Sequence, residues 1–335
     1  MKNKYLKYFK NSCVFLIIIA SALLLLRIFY LEYIGSIRYN FMAPVGKIME
    51  KDIKSFSFIA ASDTGENSGP LEAIIEDAKK SDIKFMVYAG DFVSYSTTDN
   101  FGYMVQKISK KLSGLPFYAI PGNHDVINEG NVDYSSYNKF FAQPYYWFSY
   151  GDTLFIALDS ATSAFSDEQL EWLNMTLTEI RPMYKNCIIY CHVPPSPLNH
   201  YRKRIIEEKS NKKFAKTIEG RNINLIISGH LHDFQKGGFN KIPLIILPSS
   251  GQKIYSDIKK FGYAMVNITS EGITVEEKYI DYKPKIGRLT EDFIYSAIMD
   301  DDFYYVVIIM LFVGIVAFLS NRPRIKSHRK RNNKS

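Results

Sequence analysis

Cysteine is scarce in this chain, with three residues in 335. Cys187 and Cys191 lie together in CIIYC, but four residues along a strand separate them by about 13 Å, beyond the reach of a disulfide. A disulfide framework is thereby excluded for this pair, and both read as small core residues. An excess of basic charge in the body of the chain is also lacking, although the net charge is +8. Residues 1–12 hold four Lys and residues 321–335 hold seven Lys or Arg, with no acid in either segment. Removing these 11 from the 42 basic residues leaves 31 against 34 acidic ones, a middle of about −3. A basic groove for nucleic acid therefore finds no support. Internal repeats are absent, and the basic tail is the one biased segment.

What is present is apolar. Hydrophobic residues make up 47% of the chain, with 24 Tyr and 23 Phe, enough to build a sizeable packed core. Each basic end adjoins an uncharged apolar stretch, Val14 to Leu26 and Phe303 to Leu319. Both approach the ~20 residues that cross a bilayer, and the positive-inside rule puts both ends in the cytoplasm with the middle on the far side. The expected organisation is a basic N-terminus (1–12), a membrane anchor (13–34), one catalytic-sized domain (52–285), a second membrane helix (303–320) and a basic cytoplasmic tail (321–335). A cleaved signal peptide is the rival reading of the first segment, and a buried core helix that of the second.

Between these segments apolar runs alternate with helical patterns. Strands are expected at Phe56–Ser62, Phe85–Ala89, Pro116–Ile120, Thr153–Leu158, Asn186–Cys191, Asn224–Ser228, Leu244–Leu247, Tyr263–Thr269 and Ile273–Tyr279. Helices are expected at Leu71–Lys80, Phe101–Leu112 and Asp167–Arg181. The alternation predicts a layered α/β domain, and the later strands, which lack intervening helices, predict a mixed sheet or a second sheet.

Polar residues collect where these strands end. Asp63 follows the first, Gly90, Asp91 and Tyr95 the second, and Gly122-Asn123-His124-Asp125 the third. His192 ends the fifth, and His230 and His232 end the sixth. In open α/β sheets ligands bind at the carboxyl ends of strands. Taken singly, each residue is more simply a turn former or a hydrogen-bonded surface group. Jointly they are not, because the chain has only six His and four fall in these loops. Oxygen and imidazole donors without thiolate suit Fe, Zn or Mn, and two metals sharing a carboxylate can clamp both oxygens of a phosphoryl displacement.

In these motifs (D-x-G, G-D, G-N-H-D, a lone His after a strand, G-H-L-H) the chain resembles the calcineurin-like metallophosphoesterases, a β-sandwich flanked by helices. Gly65 stands where most of that superfamily has His. The purple acid phosphatase branch shares the Gly and supplies Tyr from G-D-x-x-Y, so the resemblance implies Tyr95 as the replacement. It further implies Fe(III) on Asp63, Tyr95 and His232, a divalent ion (Fe, Zn or Mn) on Asn123, His192 and His230, and Asp91 bridging. The implied activity is hydrolysis of phosphate monoesters by water activated between the metals, with no covalent enzyme intermediate.

His124 is the candidate to protonate the leaving alcohol or bind phosphate, or else it only orients Asn123; Asp125 is expected to orient His124. His200, in the Pro-rich run HVPPSPLNHY, is a second candidate contact to the phosphate. Two rival functions stay open: a phosphodiesterase of the wider superfamily, acting on a nucleotide or phospholipid, and a membrane-tethered binding protein without chemistry. The partners expected are a phosphate ester and the membrane.

Overall fold

The computed structural model describes residues 2–36, 48–49, 53–128, 130–141, 143–196, 198, 205–284, 286–287 and 301–320. The chain forms two compact units, residues 1–36 with 284–335, and residues 37–283. The first unit contains a 35-residue helix, α1 (Lys2–Ser36), and a later helix, Asp301–Ser320. Asn11–Phe29 is uncharged but for Arg27, has a mean hydropathy of 2.6, and at 19 residues is long enough to cross a bilayer. The apolar part of the later helix, Tyr305–Leu319, is shorter. At 1.5 Å per residue it reaches only about 22 Å of the ~30 Å hydrocarbon layer. One candidate span is thus present among the described residues, where two were expected.

Among its described residues the second unit holds fourteen strands. In chain order they are β1 (Ile48–Met49), β2 (Phe56–Ala61), β3 (Ile83–Ala89), β4 (Phe117–Ile120), β5 (Ile127–Asn128), β6 (Asn131–Val132) and β7 (Tyr146–Tyr150), then β8 (Thr153–Leu158), β9 (Asn186–Cys191), β10 (Leu225–Ser228), β11 (Gln235–Phe239), β12 (Ile242–Ile246), β13 (Phe261–Ile268) and β14 (Ile273–Ile280). Seven of them form one sheet, ordered β1-β7-β8-β9-β10-β12-β11, and five form another, ordered β14-β13-β2-β3-β4. Both sheets are mixed, as the sequence predicts: β2, β3 and β4 run parallel while β13 is antiparallel to β2.

Alternation along β8 shows why the layers form. Leu154, Ile156 and Leu158 face one way, toward Leu170 and Leu173 of α6 (Asp167–Glu179) and Phe214 of α7 (Glu208–Ile218). Phe155 and Ala157 face the other way and meet the smaller sheet. Between the sheets Phe58, Phe85, Phe148 and Phe155 interlock, with Phe58 and Phe155 edge-to-face at 5.2 Å and Phe85 and Phe148 edge-to-face at 5.6 Å. Each such ring contributes about 2–3 kcal/mol of burial and fixes the angle at which the sheets meet. The smaller sheet is flanked by α2 (Ser68–Ala78), tied to β13 by the Tyr263 hydroxyl donating to Asp77 at 2.9 Å.

Five strands escape the sequence pattern, β1, β5 and β6 of two residues each and the longer β7 and β11. β7 is a mostly aromatic run, YWFSY, joined to β8 by a Gly151-Asp152 hairpin turn, and β11 contains Gly237-Gly238, which reads locally as a turn. α6 stops at Glu179, two residues before the expected end, because Pro182 lacks the amide a helix needs and the chain continues as a single 3₁₀ turn.

Candidate metal centre

The parallel strands of both sheets deliver their carboxyl ends to one edge of the sandwich. Asp63 leaves β2 and Asp91 leaves β3; His192 follows β9, and His230 and His232 follow β10. All four loops are tied by main-chain bonds: Asp63 donates to Gly90, Thr64 to Asp91 and Gly229 to His192, each within 3.0 Å. Asp63, Asp91, His230 and His232 are held at positive φ, between 54° and 71°. Such backbone costs roughly 1–3 kcal/mol per residue and turns each side chain back across the strand end.

The result is two clusters that share one residue. Ligand atoms of Asp91, His192 and His230 lie within 4.8 Å of one another, as do those of Asp63, Asp91 and His232. Asn123 joins the first, with its Oδ1 3.1 Å from His192 Nε2. Asp63, Asp91 and His192 are buried to 1% exposure or less. Each buried imidazole is oriented from behind. Ala89 carbonyl accepts from His192 Nδ1 at 2.8 Å and Lys253 carbonyl from His232 Nδ1 at 2.6 Å, which aims both Nε2 atoms at the carboxylates. His232 also lies under the ring of Tyr255, stacked at 5.2 Å.

The electrostatics invite cations. Burial alone would lower the pKa of His192, yet Asp91 beside it outweighs burial and lifts the imidazole to about 9. His232 is raised in the same way by Asp63. Burial opposes ionisation of Asp63 and Asp91, but His232 and His192 respectively hold both carboxyls below their ordinary value. Two buried carboxylates converge here with imidazole nitrogens aimed at them. A pair of metal ions fits this donor set, which is all oxygen and nitrogen.

Two expectations, for Asp125 and Tyr95, meet a different geometry. Asp125 does not reach the His124 ring. Its carboxylate accepts from the backbone amides of Phe92, Val93 and Gly122 at 2.8–3.0 Å, knitting the second loop to the third. Burial and the nearby Asp91 push it up to about 7. His124 is instead held by the Ser94 carbonyl, 3.0 Å from its Nδ1, with the ring exposed. Tyr95 is 66% exposed, and it stands four residues after Asp91, whereas G-D-x-x-Y puts the tyrosine third. The third residue is Ser94, and its hydroxyl is the group that faces Gly65. His200 lies outside the described residues.

Sequence reasoning passed over the end of β8. Asp159 there is mostly buried, accepts from Tyr134 hydroxyl at 2.6 Å and from Ala161 amide at 2.9 Å, and so fastens the segment after Asp125. Ser160 clamps the main chain of Val193 beside His192, accepting from its amide at 2.8 Å. The strand-end rule that found the other loops applies equally to this one.

Fold and centre together define a class: the chain belongs to the calcineurin-like phosphoesterase family, whose sequence pattern matches residues 56–234. Among curated proteins it is 23% identical over 192 residues to a probable glycerophosphodiester phosphodiesterase, GpdQ, of Arcobacter nitrofigilis, a match covering 52% of this chain and 66% of that one. It is also 23% identical over 230 residues to a probable cyclic nucleotide phosphodiesterase of Fibrobacter succinogenes, covering 64% and 86%. Among solved structures it shares its fold with purple acid phosphatase PPD1 from yellow lupin, at a TM-score of 0.56 and 14% identity, over 70% of this chain and 53% of that one.

Proposed function

We propose that this protein is a membrane-anchored, dinuclear-metal hydrolase of phosphodiesters whose catalytic unit lies outside the cytoplasm. The observation that carries the reading is Asp91, buried and common to two clusters of ligands. Asp91, Asn123, His192 and His230 would hold one ion, and Asp63, Asp91 and His232 the other. When bound, the ions supply Lewis acidity and lower the pKa of water. The chain's own residues do the rest. Ala89 and Lys253 carbonyls keep the imidazoles in the tautomer that presents Nε2. His124, anchored through Nδ1, offers Nε2 to protonate the departing alcohol oxygen. Preference for diesters is supported by the likeness to two probable phosphodiesterases among the curated relatives. The extracytoplasmic placement is supported by the span at Asn11–Phe29 and by the basic segment that precedes it.

A second reading has its own observation. Gly65 and the shared fold of the lupin enzyme favour a purple acid phosphatase-like monoesterase, with Tyr95 turned inward onto Fe(III). One experiment separates the two. The full chain, in detergent and loaded with Mn(II) or with Fe and Zn, is offered bis(p-nitrophenyl) phosphate and p-nitrophenyl phosphate. The diester reading expects faster turnover of the first, lost on chelation and in Asp91→Asn. A preference for the monoester together with a visible charge-transfer band would hand the case to the second reading, and no hydrolysis of either would overturn both.

A further inference from the structure

The cluster of Asp63, Asp91 and His232 draws no ligand from residue 65, which is a glycine. A β-carbon at Gly65 would fall 2.6 Å from Ser94 Oγ, 3.0 Å from Gln252 Cγ and 3.3 Å from Gln252 Nε2. The space in which a ligand from residue 65 would start is therefore already occupied, and by side chains from two other loops. We propose that the side-chain amide of Gln252 is the ligand that completes this metal position, taking the role assigned elsewhere to histidine or tyrosine. The inference rests on the dinuclear reading above.

Placement favours Gln252 over its neighbours. Its amide nitrogen donates to the Asp63 carbonyl at 2.9 Å, so its main chain is one hydrogen bond from a ligand. The Ser249 hydroxyl lies within hydrogen-bond reach of the carbonyls of both Asp63 and Gln252, at 3.0 and 2.8 Å, and its one proton, shared between them, links the two segments. The next residue, Lys253, orients His232, and Tyr255 covers that ring. Residues 249–255 are thus built around this one cluster. Ser94 carries a single short neutral hydroxyl, whereas the glutamine amide offers a carbonyl oxygen, a regular ligand of hard cations. Rotation by 180° about the last side-chain bond exchanges the amide nitrogen for that oxygen without moving the stem. Residue 65 itself offers no ligand, because glycine has no side chain.

The chemical consequence concerns the metal. An amide oxygen is neutral, so the position has no phenolate to favour Fe(III) and suits a divalent ion such as Mn(II).

Binding of Mn(II) alone to the full chain in detergent, counted by electron paramagnetic resonance, tests this apart from turnover. Wild type should take up two ions. Gln252→Ala should keep one and bind the other about tenfold or more weakly. Gln252→Glu, which restores an oxygen donor, should recover the second ion, and Ser94→Ala and Tyr95→Phe should behave as wild type. Two ions bound at wild-type affinity by Gln252→Ala, with its melting temperature unchanged, would overturn the assignment alone. Loss of the second ion in Tyr95→Phe would do the same. Fewer than two ions on wild type would overturn the dinuclear reading and the assignment with it.

Discussion

Gly90 immediately precedes Asp91, and its surroundings leave no room for a side chain. It sits at φ +85°, and a β-carbon there would lie 2.6 Å from His192 Nδ1, 2.7 Å from its Cγ and 2.8 Å from Gly122 Cα. Gly114 provides a matched reference, with φ +87° and nothing within 4 Å of the same atom. Gly114→Ala therefore costs only the backbone strain, about 1–2 kcal/mol. Gly90→Ala adds an overpacking cost of about 1–3 kcal/mol against a ring that the Ala89 carbonyl prevents from moving away. For a unit of residues 37–283 each kcal/mol lowers the melting temperature by roughly 2–4 °C. The metal-free Gly90→Ala protein should melt several degrees below Gly114→Ala when followed by near-ultraviolet circular dichroism. Its Mn(II) affinity should fall about 10–100-fold through displacement of His192, while Gly114→Ala binds normally. Equal melting and equal metal affinity in the two variants would refute the claim that the second loop is packed directly onto His192.

Metal affinity should rise with pH. His192, at about 9, carries a proton at neutral pH in the metal-free protein, Asp63 raises His232 in the same direction, and both imidazoles must be unprotonated at the ligand nitrogen to bind a metal. The sign follows: protons compete below their pKa values, so Mn(II) affinity should climb between pH 6 and 9 and level off above. Titration calorimetry in buffers of different ionisation enthalpy should register proton release at pH 7, and a flat profile would contradict the protonation assigned here. Tyr134→Phe should lower stability by about 1–3 kcal/mol in denaturant unfolding, because it strips Asp159, already raised by burial, of its hydroxyl donor. A change below about 0.5 kcal/mol, the level of an ordinary surface substitution, would show that the bond does not fasten that segment.

How far the sequence was legible depended on whether a residue's role follows from its place along a strand. Asp63, Asp91, Asn123, His192, His230 and His232 all lie within four residues of the end of a strand, and a strand delivers such groups to one edge whatever the details. Tyr95 illustrates the limit. Whether residue 94 or 95 turns inward is decided by the backbone after Asp91, whose φ of 58° no local pattern announces. Asp125 was placed beside His124 by adjacency, but three amides that become neighbours only in the folded chain hold it elsewhere. Gln252 lies twenty residues beyond the last motif and reaches the cluster through the pairing of β10 with β12, which leaves no trace in its own surroundings. β11 hid behind two glycines, and the membrane helices were read from composition, which fixes apolarity better than the length of helix that carries it.

The four left-handed residues at the centre carry a consequence for descent. Asp63, Asp91, His230 and His232 combine backbone strain with two buried carboxylates whose desolvation the paired imidazoles only offset. Copies of this chain released from selection for turnover would be stabilised by losing these side chains together, since glycine or asparagine tolerates the backbone and removes the buried charge. Drift would then run downhill toward inert domains that keep the sandwich, so mutational decay in such a lineage should begin at the strand ends and spare the aromatic core.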